Sequence, residues 1–233
     1  MKGISNDVEQ WPRVQYDLRS TADSSTSLTA QDFPPEATLT RFYLQPGQLQ
    51  LQSSTEQQFV SFQAHKLESA ASFEHKFEKR TEITGYASVK LFVQALRYPD
   101  VDLYVALQKV DQTGSEVKFY HSTQQIEASA SFGQLRASHR ELDQERSRPE
   151  RPYHKHQRRQ WLRPVDVVEV DVELWPSSTV WEAGETLRLV VKGTPFTNQE
   201  NLTQVKSPAH GYGEVRLWVG SNQSSLLVPL KTS

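Results

Sequence analysis

The chain has 233 residues, no cysteine and a formal net charge of −2 at neutral pH. That length accommodates one large β-domain or two small domains with a core that needs no covalent staples. The absence of cysteine excludes disulfides and thiolate-bound metals, and the near-neutral charge gives no global field for nucleic acid.

Mean hydropathy is −0.64, yet aromatic residues make up 10% of the chain, a content that disordered chains lack. No apolar run approaches the about 20 residues that span a bilayer. The opening MKGISNDVEQWPRV carries no apolar stretch of a signal peptide. A cytoplasmic protein away from membranes is therefore expected, and the triplets beginning at Asn201 and Asn222 gain no weight as glycosylation sites.

Residues 1–36 read as an irregular lead-in, rich in Ser and Thr from Ser20 to Thr29 and closed by Phe33-Pro-Pro. Residues 37–233 read as one β-domain. Its first clear strand is Thr38–Leu44, ended by Pro46-Gly47, and short runs follow at Gln58–Phe62 and Phe73–Phe77. Gly85–Val93 alternates apolar and polar residues. Val101–Val110 sets Val101, Leu103, Val105 and Leu107 on one face, the period of two of a half-buried strand. Asp111-Gln-Thr-Gly114 supplies a turn and Val117–Tyr120 returns.

Residues 143–163, DQERSRPERPYHKHQRRQWLR, are charged, Pro-containing and aperiodic, and predict a long exposed loop. Val165–Leu174 then gives the cleanest strand, with Val168, Val170, Val172 and Leu174 on the core face and Glu169, Asp171 and Glu173 opposite. Glu182–Glu185 is a turn. Thr186–Val191, Glu214–Val219 and Ser225–Leu230 are further strands. Many short strands with Gly and Pro turns, and no helical pattern of ten residues, predict an all-β sandwich or barrel.

Several segments, in order, resemble one family. Lys2-Gly3, Asn6 and Pro12-Arg-Val14 resemble the link that leaves an α/β-hydrolase domain. Thr81–Gly85 with Val101-Asp-Leu103 resembles two central strands. Leu135-Arg-Ala-Ser-His-Arg-Glu-Leu-Asp143 is the most specific block. Val168–Leu174, Trp175-Pro, Ala183-Gly-Glu185, Leu187-Arg-Leu189 and the closing Ser225–Pro229 complete the set. The chain so resembles the C-terminal domain of X-Pro dipeptidyl-peptidase and cocaine-esterase-like (CocE/NonD) serine hydrolases. Before the closing strand it has His210-Gly-Tyr-Gly213 where that family usually carries His-x-Gly-Gly.

The resemblance implies an all-β jelly-roll sandwich of galactose-binding-domain type, with two antiparallel sheets. It also implies that residues 1–36 lead in from a missing α/β-hydrolase domain, which holds the Ser-Asp-His triad of the family. This chain would be the truncated or separately encoded non-catalytic part. It would shape the pocket for a small acyl or peptide substrate of a dipeptidyl-peptidase or hydrolase, and a homo-oligomer is compatible with it. The alternative is a stand-alone carbohydrate- or ligand-binding jelly-roll module, for which Trp175, Trp181 and Trp218 are candidate stacking platforms.

Catalytic, cofactor-binding and metal residues are each expected to be none, and no cofactor is expected. There is no Gly-x-Ser-x-Gly, the elbow that exposes a hydrolase serine. His139, between Ser138 and Arg140, reads as a structural imidazole, and Arg136, Arg140 and Glu141 as an ion network. His154 and His156 share a face of an extended segment but fall short of the ligand number that zinc wants. Asp100 and Asp102 read as a solvated turn rather than a calcium site. Arg146, Arg148, Arg151, Lys155, Arg158, Arg159 and Arg163, with Tyr153 and Trp161, read as a solvated loop, because Asp143, Glu145 and Glu150 dilute the charge.

Overall fold

Alternating sequences of this kind form strands, and strands fill the computed structural model, which describes residues 7–121, 126–196 and 211–232. Among these residues the strands are β1 (Val14–Arg19), β2 (Ser25–Ala30), β3 (Thr38–Gln45), β4 (Gly47–Gln50), β5 (Gln57–Gln63), β6 (Ala70–Lys76), β7 (Thr81–Ala95) and β8 (Asp102–Val110). They continue as β9 (Glu116–Val117), β10 (Phe119–His121), β11 (Ile126–Ala128), β12 (Ser131–Arg136), β13 (Val168–Trp181), β14 (Thr186–Lys192), β15 (Glu214–Gly220) and β16 (Ser225–Thr232). Two single 3-10 turns, Val8–Gln10 and Ala137–His139, are the helical content of the described residues, and no described helix is long and apolar enough to cross a membrane. Asn201 and His210 lie outside the described residues.

The strand order is β12-β8-β14-β6-β4-β3-β16-β7-β13-β1-β2, with β15 and β5 branching from β7, β9 from β8, and β10–β11 as a separate hairpin. The two layers of a β-sandwich, β12-β8-β14-β6 and β3-β16-β7-β13, are joined by hydrogen bonds through β4. Gly47, at φ +74, turns β3 into β4, which pairs antiparallel with β3 and parallel with β6. Glycine takes that backbone conformation without steric cost.

The layers also meet at the other side. A Cβ on Gly133 of β12 would stand 2.0 Å from the Glu173 carbonyl oxygen of β13, and Ser131 Oγ donates to the Trp175 carbonyl. The core between the layers holds Val89, Leu91 and Val93 of β7, Leu103, Val105 and Leu107 of β8, and Leu187, Leu189 and Val191 of β14. Val170, Val172 and Leu174 are fully buried there and Val168 packs against them, as the alternation predicts.

Three segments differ from the sequence expectation. The lead-in is not irregular: β1 and β2 form an antiparallel hairpin from Val14↔Ala30 to Arg19↔Ser25, and Arg19 pairs parallel with Thr179 of β13. Leu18 is buried, while Trp11 and Phe33 stay exposed. β13 does not stop at Pro176; a register shift between Leu174 and Ser177 lets it continue to Trp181. A proline has no N–H for the ladder, and a bulge is where a sheet tolerates it. Residues 143–163 are aperiodic as expected, but they are tied down rather than free. Ser88 Oγ donates to the Pro149 carbonyl, Leu162 N to the Pro99 carbonyl, and Pro152 and Leu162 are buried.

Candidate functional site

The strand registers bring several loops to one end of the sandwich. β7 and β14 finish there at Ala95 and Lys192, while β8, β13 and β15 begin there at Asp102, Val168 and Glu214. The Arg136–Glu141 segment leaves β12 at the same end and is fixed by carboxylates and backbone groups. Arg136 makes a two-pronged ion pair with Asp102, Nε–Oδ1 2.8 Å and Nη2–Oδ2 3.2 Å, and this pairing raises the Arg136 pKa.

Asp100 is buried and accepts three hydrogen bonds. Val101 N and Ser138 N donate to Oδ1 at 3.0 and 2.9 Å, and Ser138 Oγ donates to Oδ2 at 2.6 Å. Arg140 donates through Nη1 to the Ala137 and Gln160 carbonyls at 3.1 and 2.6 Å. Burial lowers its pKa, and the charges of Asp100 and Asp166 oppose that shift. Glu141 accepts from Arg158 Nε at 2.5 Å and Lys155 Nζ at 3.2 Å, and these partners lower its pKa, Arg158 most. Arg136, Arg140 and Glu141 therefore do not form the one network expected of them: Arg136 pairs with Asp102, Arg140 with backbone carbonyls, and Glu141 with Arg158 and Lys155, while Asp100 holds Ser138.

Three histidines meet beside it. The His139 and His156 rings lie 5.6 Å apart and those of His154 and His156 5.8 Å apart. His139 Nδ1 and His154 Nε2 are buried without a hydrogen-bond partner among the described residues. Burial, reinforced by the His156 charge, pushes the His154 pKa down to about 4, and the same causes lower that of His139. Among the described residues no group of three His, Cys, Asp or Glu side chains is arranged to hold a metal. Asp100 and Asp102 already have protein donors on their oxygens.

The basic residues of the loop are also spoken for. Arg151 pairs with Glu173, Arg158 and Lys155 with Glu141, and Arg163 with Asp166. Arg146 lies over the Tyr153 ring, Arg159 over Trp161, and Arg148 donates to backbone carbonyls. The partners of Arg146, Arg148 and Arg159 are neutral, and Asp143, Glu145 and Glu150 of the same segment dilute their charge.

Of the three tryptophans considered as platforms, Trp181 is a core residue whose Nε1 donates to the Thr186 carbonyl. Trp218 is half-buried and donates to Gln94. Trp175 is exposed, 4.8 Å from the Phe132 ring. Burial of Trp181 follows from its place at the end of β13, inside the turn that leads to β14.

What sequence reading missed is the apolar surface around this ordered end. Leu67, Tyr98, Trp161, Val165, Val167 and Tyr212 are all exposed there. Tyr212 stacks on His65, Gly213 N reaches His65 Nδ1, and Gln94 holds the Pro164 carbonyl. Single exposed apolar residues are ordinary, whereas large contiguous apolar patches are typical of interaction surfaces in general. The signal lay in Trp161, Val165 and Val167, apolar residues interrupting a charged stretch.

Residues 6–225 match the family model of the X-Pro dipeptidyl-peptidase C-terminal non-catalytic domain. A CocE/NonD family hydrolase from Staphylococcus aureus is similar in structure over 99% of this chain and 43% of its own, with 31% identity and a TM-score of 0.93. An aminopeptidase from a marine sediment Thaumarchaeota archaeon covers 95% of this chain and 41% of its own at 15% identity and a TM-score of 0.66. An α-amino acid ester hydrolase covers 88% and 39% at 14% identity and a TM-score of 0.56. The last two show a shared fold. No curated protein matches the chain. The chain spans less than half the length of each of these solved relatives.

Proposed function

This chain belongs to the family of X-Pro dipeptidyl-peptidase C-terminal non-catalytic domains, and from that premise we propose that it is the accessory part of a serine hydrolase. It docks an α/β-hydrolase domain through the loop-rich end and forms one wall of that domain's acyl or peptide pocket. The layer architecture is of the jelly-roll, galactose-binding-like type, the assembly is cytoplasmic, and the activity it serves is dipeptidyl-peptidase or acyl-ester hydrolysis. Pairing of whole molecules into a homo-oligomer is compatible with this arrangement.

The observation that carries the reading is the pairing of rigidity with exposed apolar surface. The Asp100–Ser138 and Asp102–Arg136 bonds hold the loops, and Trp161, Tyr98 and Tyr212 stand exposed beside them. Fixed loops lose little entropy on docking, and burying each large side chain is worth roughly 1.5–3 kcal/mol. The carbohydrate-module reading keeps only Trp175 as an exposed platform among its three candidates.

The test is a fusion of this chain to the remaining, hydrolase part of the Staphylococcus aureus relative. The isolated chain should leave p-nitroanilide dipeptides and p-nitrophenyl esters untouched. The fusion should turn over one of them, and Trp161→Glu with Tyr98→Glu should weaken that turnover at least about tenfold while leaving the isolated chain folded. Turnover by the isolated chain that a single Ser→Ala change abolishes would refute the non-catalytic reading.

A further inference from the structure

A strand at the edge of a sheet leaves a row of backbone N–H and C=O groups without ladder partners. β5 is such a strand. Among the described residues it pairs with β15 alone, antiparallel from Gln57↔Gly220 to Gln63↔Glu214. In the same register Ala64 N donates to the Gly213 carbonyl and Ser221 N to the Glu56 carbonyl. Antiparallel residues alternate between bonding the neighbour and turning their backbone away from it. The even-numbered residues of β5 therefore bond β15, and Gln57, Phe59, Ser61 and Gln63 point their amides and carbonyls off the sheet.

Gln63 is satisfied by the loop that follows: its N donates to Ser69 Oγ, and its carbonyl accepts from Lys66 N. The backbone groups of Gln57, Phe59 and Ser61 make no such bond among the described residues. Their side chains are exposed, and the Phe59 ring lies 5.4 Å from that of Trp218 and 4.5 Å from the Arg216 guanidinium. Val60 and Phe62 pack on the core, which keeps the strand straight and in place.

The sequence from Gln57 to Gln63 is Gln-Gln-Phe-Val-Ser-Phe-Gln, without charge or proline, and its register with β15 runs unbroken. Charges, prolines and bulges are the devices that blunt an edge. β2, at the end of the strand order, exposes mainly Ser and Thr, whereas β5 has Phe59 and Val60 at its middle.

We infer that this edge is the contact between two copies of the chain, β5 against β5 about a two-fold axis at Phe59. A two-fold contact needs a surface that complements itself. With Phe59 facing Phe59 of the second copy, Gln57 faces Ser61 and Ser61 faces Gln57. All three open residues then gain partners, two bonds to each pair, and the two phenyl rings meet beside the axis. Charge favours the antiparallel sense. In-register parallel strands would set Glu56 against Glu56, whereas this register holds the two carboxylates about 20 Å apart. The contact supplies a surface for the homo-oligomer with which the accessory role is compatible, and it does not depend on docking at the loop-rich end.

Sedimentation velocity on the full chain from about 1 to 500 μM tests it. One short strand pair makes a small interface, so the dimer should form with a Kd of about 10–100 μM. Ser61→Pro removes an N–H that the fold itself leaves unused and should abolish the dimer. Gln57→Glu with Ser61→Glu sets like charges opposite each other twice and should weaken it about fivefold or more. Gln57→Lys with Ser61→Glu turns both pairs into attractive ones and should restore it to the parent level or better. This charge exchange decides the matter if Ser61→Pro does not fold. Trp161→Glu, at the loop-rich end, should leave the dimer unchanged. The inference is overturned if the parent stays monomeric up to about 500 μM, or if a folded Ser61→Pro or double-Glu variant dimerises as the parent does. It is also overturned if the Lys–Glu variant stays as weak as the double-Glu one, or if Trp161→Glu alone dissolves the dimer.

Discussion

Removing the Asp100 carboxylate isolates what holds the loop-rich end together. Asp100 is 2% exposed and Ser138 0%, so neither can recover lost bonds from water. Asp100→Ala strands the Val101 and Ser138 amides and the Ser138 hydroxyl, and it takes away a negative charge that supports the Arg140 guanidinium. Each unsatisfied buried donor costs about 1–3 kcal/mol. Small adjustments recover part of this, so the net loss should be about 3–5 kcal/mol.

Asp100→Asn keeps an oxygen for the two amides and offers Ser138 Oγ a donor in place of an acceptor. It loses only the charge and should cost about 1–2 kcal/mol. Ser138→Ala leaves the buried Asp100 Oδ2 without its hydroxyl donor and should cost about 1–3 kcal/mol. Urea unfolding followed by tryptophan fluorescence gives all three, and the double variant gives the coupling between the pair. The reasoning fails if Asp100→Ala costs under 1 kcal/mol, or if it costs no more than Asp100→Asn.

Lys109, also 2% exposed, pairs with Glu185 at 2.9 Å and donates to the Ser20 carbonyl; Glu185→Ala should destabilise by about 3 kcal/mol by leaving a buried ammonium, readable as a lower urea midpoint. Gly133→Ala forces a methyl against the Glu173 carbonyl and should cost about 3 kcal/mol or more, with no soluble folded protein as the extreme result. His154, held neutral down to about pH 4 by burial, takes a proton in the unfolded chain near pH 6.5. The unfolded state therefore binds more protons between those values, and stability falls as pH drops through that window and levels off below it. The drop should be about 1–2 kcal/mol, reduced from the full shift by solvent screening of the partly exposed ring, and His154→Gln should flatten it in urea titrations at pH 7, 5.5 and 4.

The parts of the fold legible in the sequence are those where burial on one face writes a period of two. β13 and β8 show it because Val170, Val172 and Leu174, and Leu103, Val105 and Leu107, each alternate with residues facing elsewhere. β1 and β2 do not, because only Leu18 of their residues is fully buried. Their Ser and Thr content reads as linker when the neighbouring strand is not in view.

The candidate site was legible in its pieces and not in its assembly. Asp100, Asp102 and Arg136–Glu141 stood out as residues, and their partition into three separate bond sets depends on the turn after β12. The meeting of His139 with His154 and His156 depends on the 143–163 segment folding back, as shown by Asp143 N bonded to the Tyr153 carbonyl.

The lead-in hairpin has a consequence for how the molecule avoids its own copies. β13 would otherwise end the sheet on that side, and an open strand edge is a template on which another chain can zip. β1 covers part of that edge and β2 becomes the outermost strand, with mostly exposed positions of Ser, Thr and Ala. Such a rim is short, polar and poorly suited to self-pairing. Shortening the chain to begin at residue 37 would bare the Thr179 region of β13 to intermolecular strand pairing, so the segment that looks most dispensable acts as the sheet's selvedge.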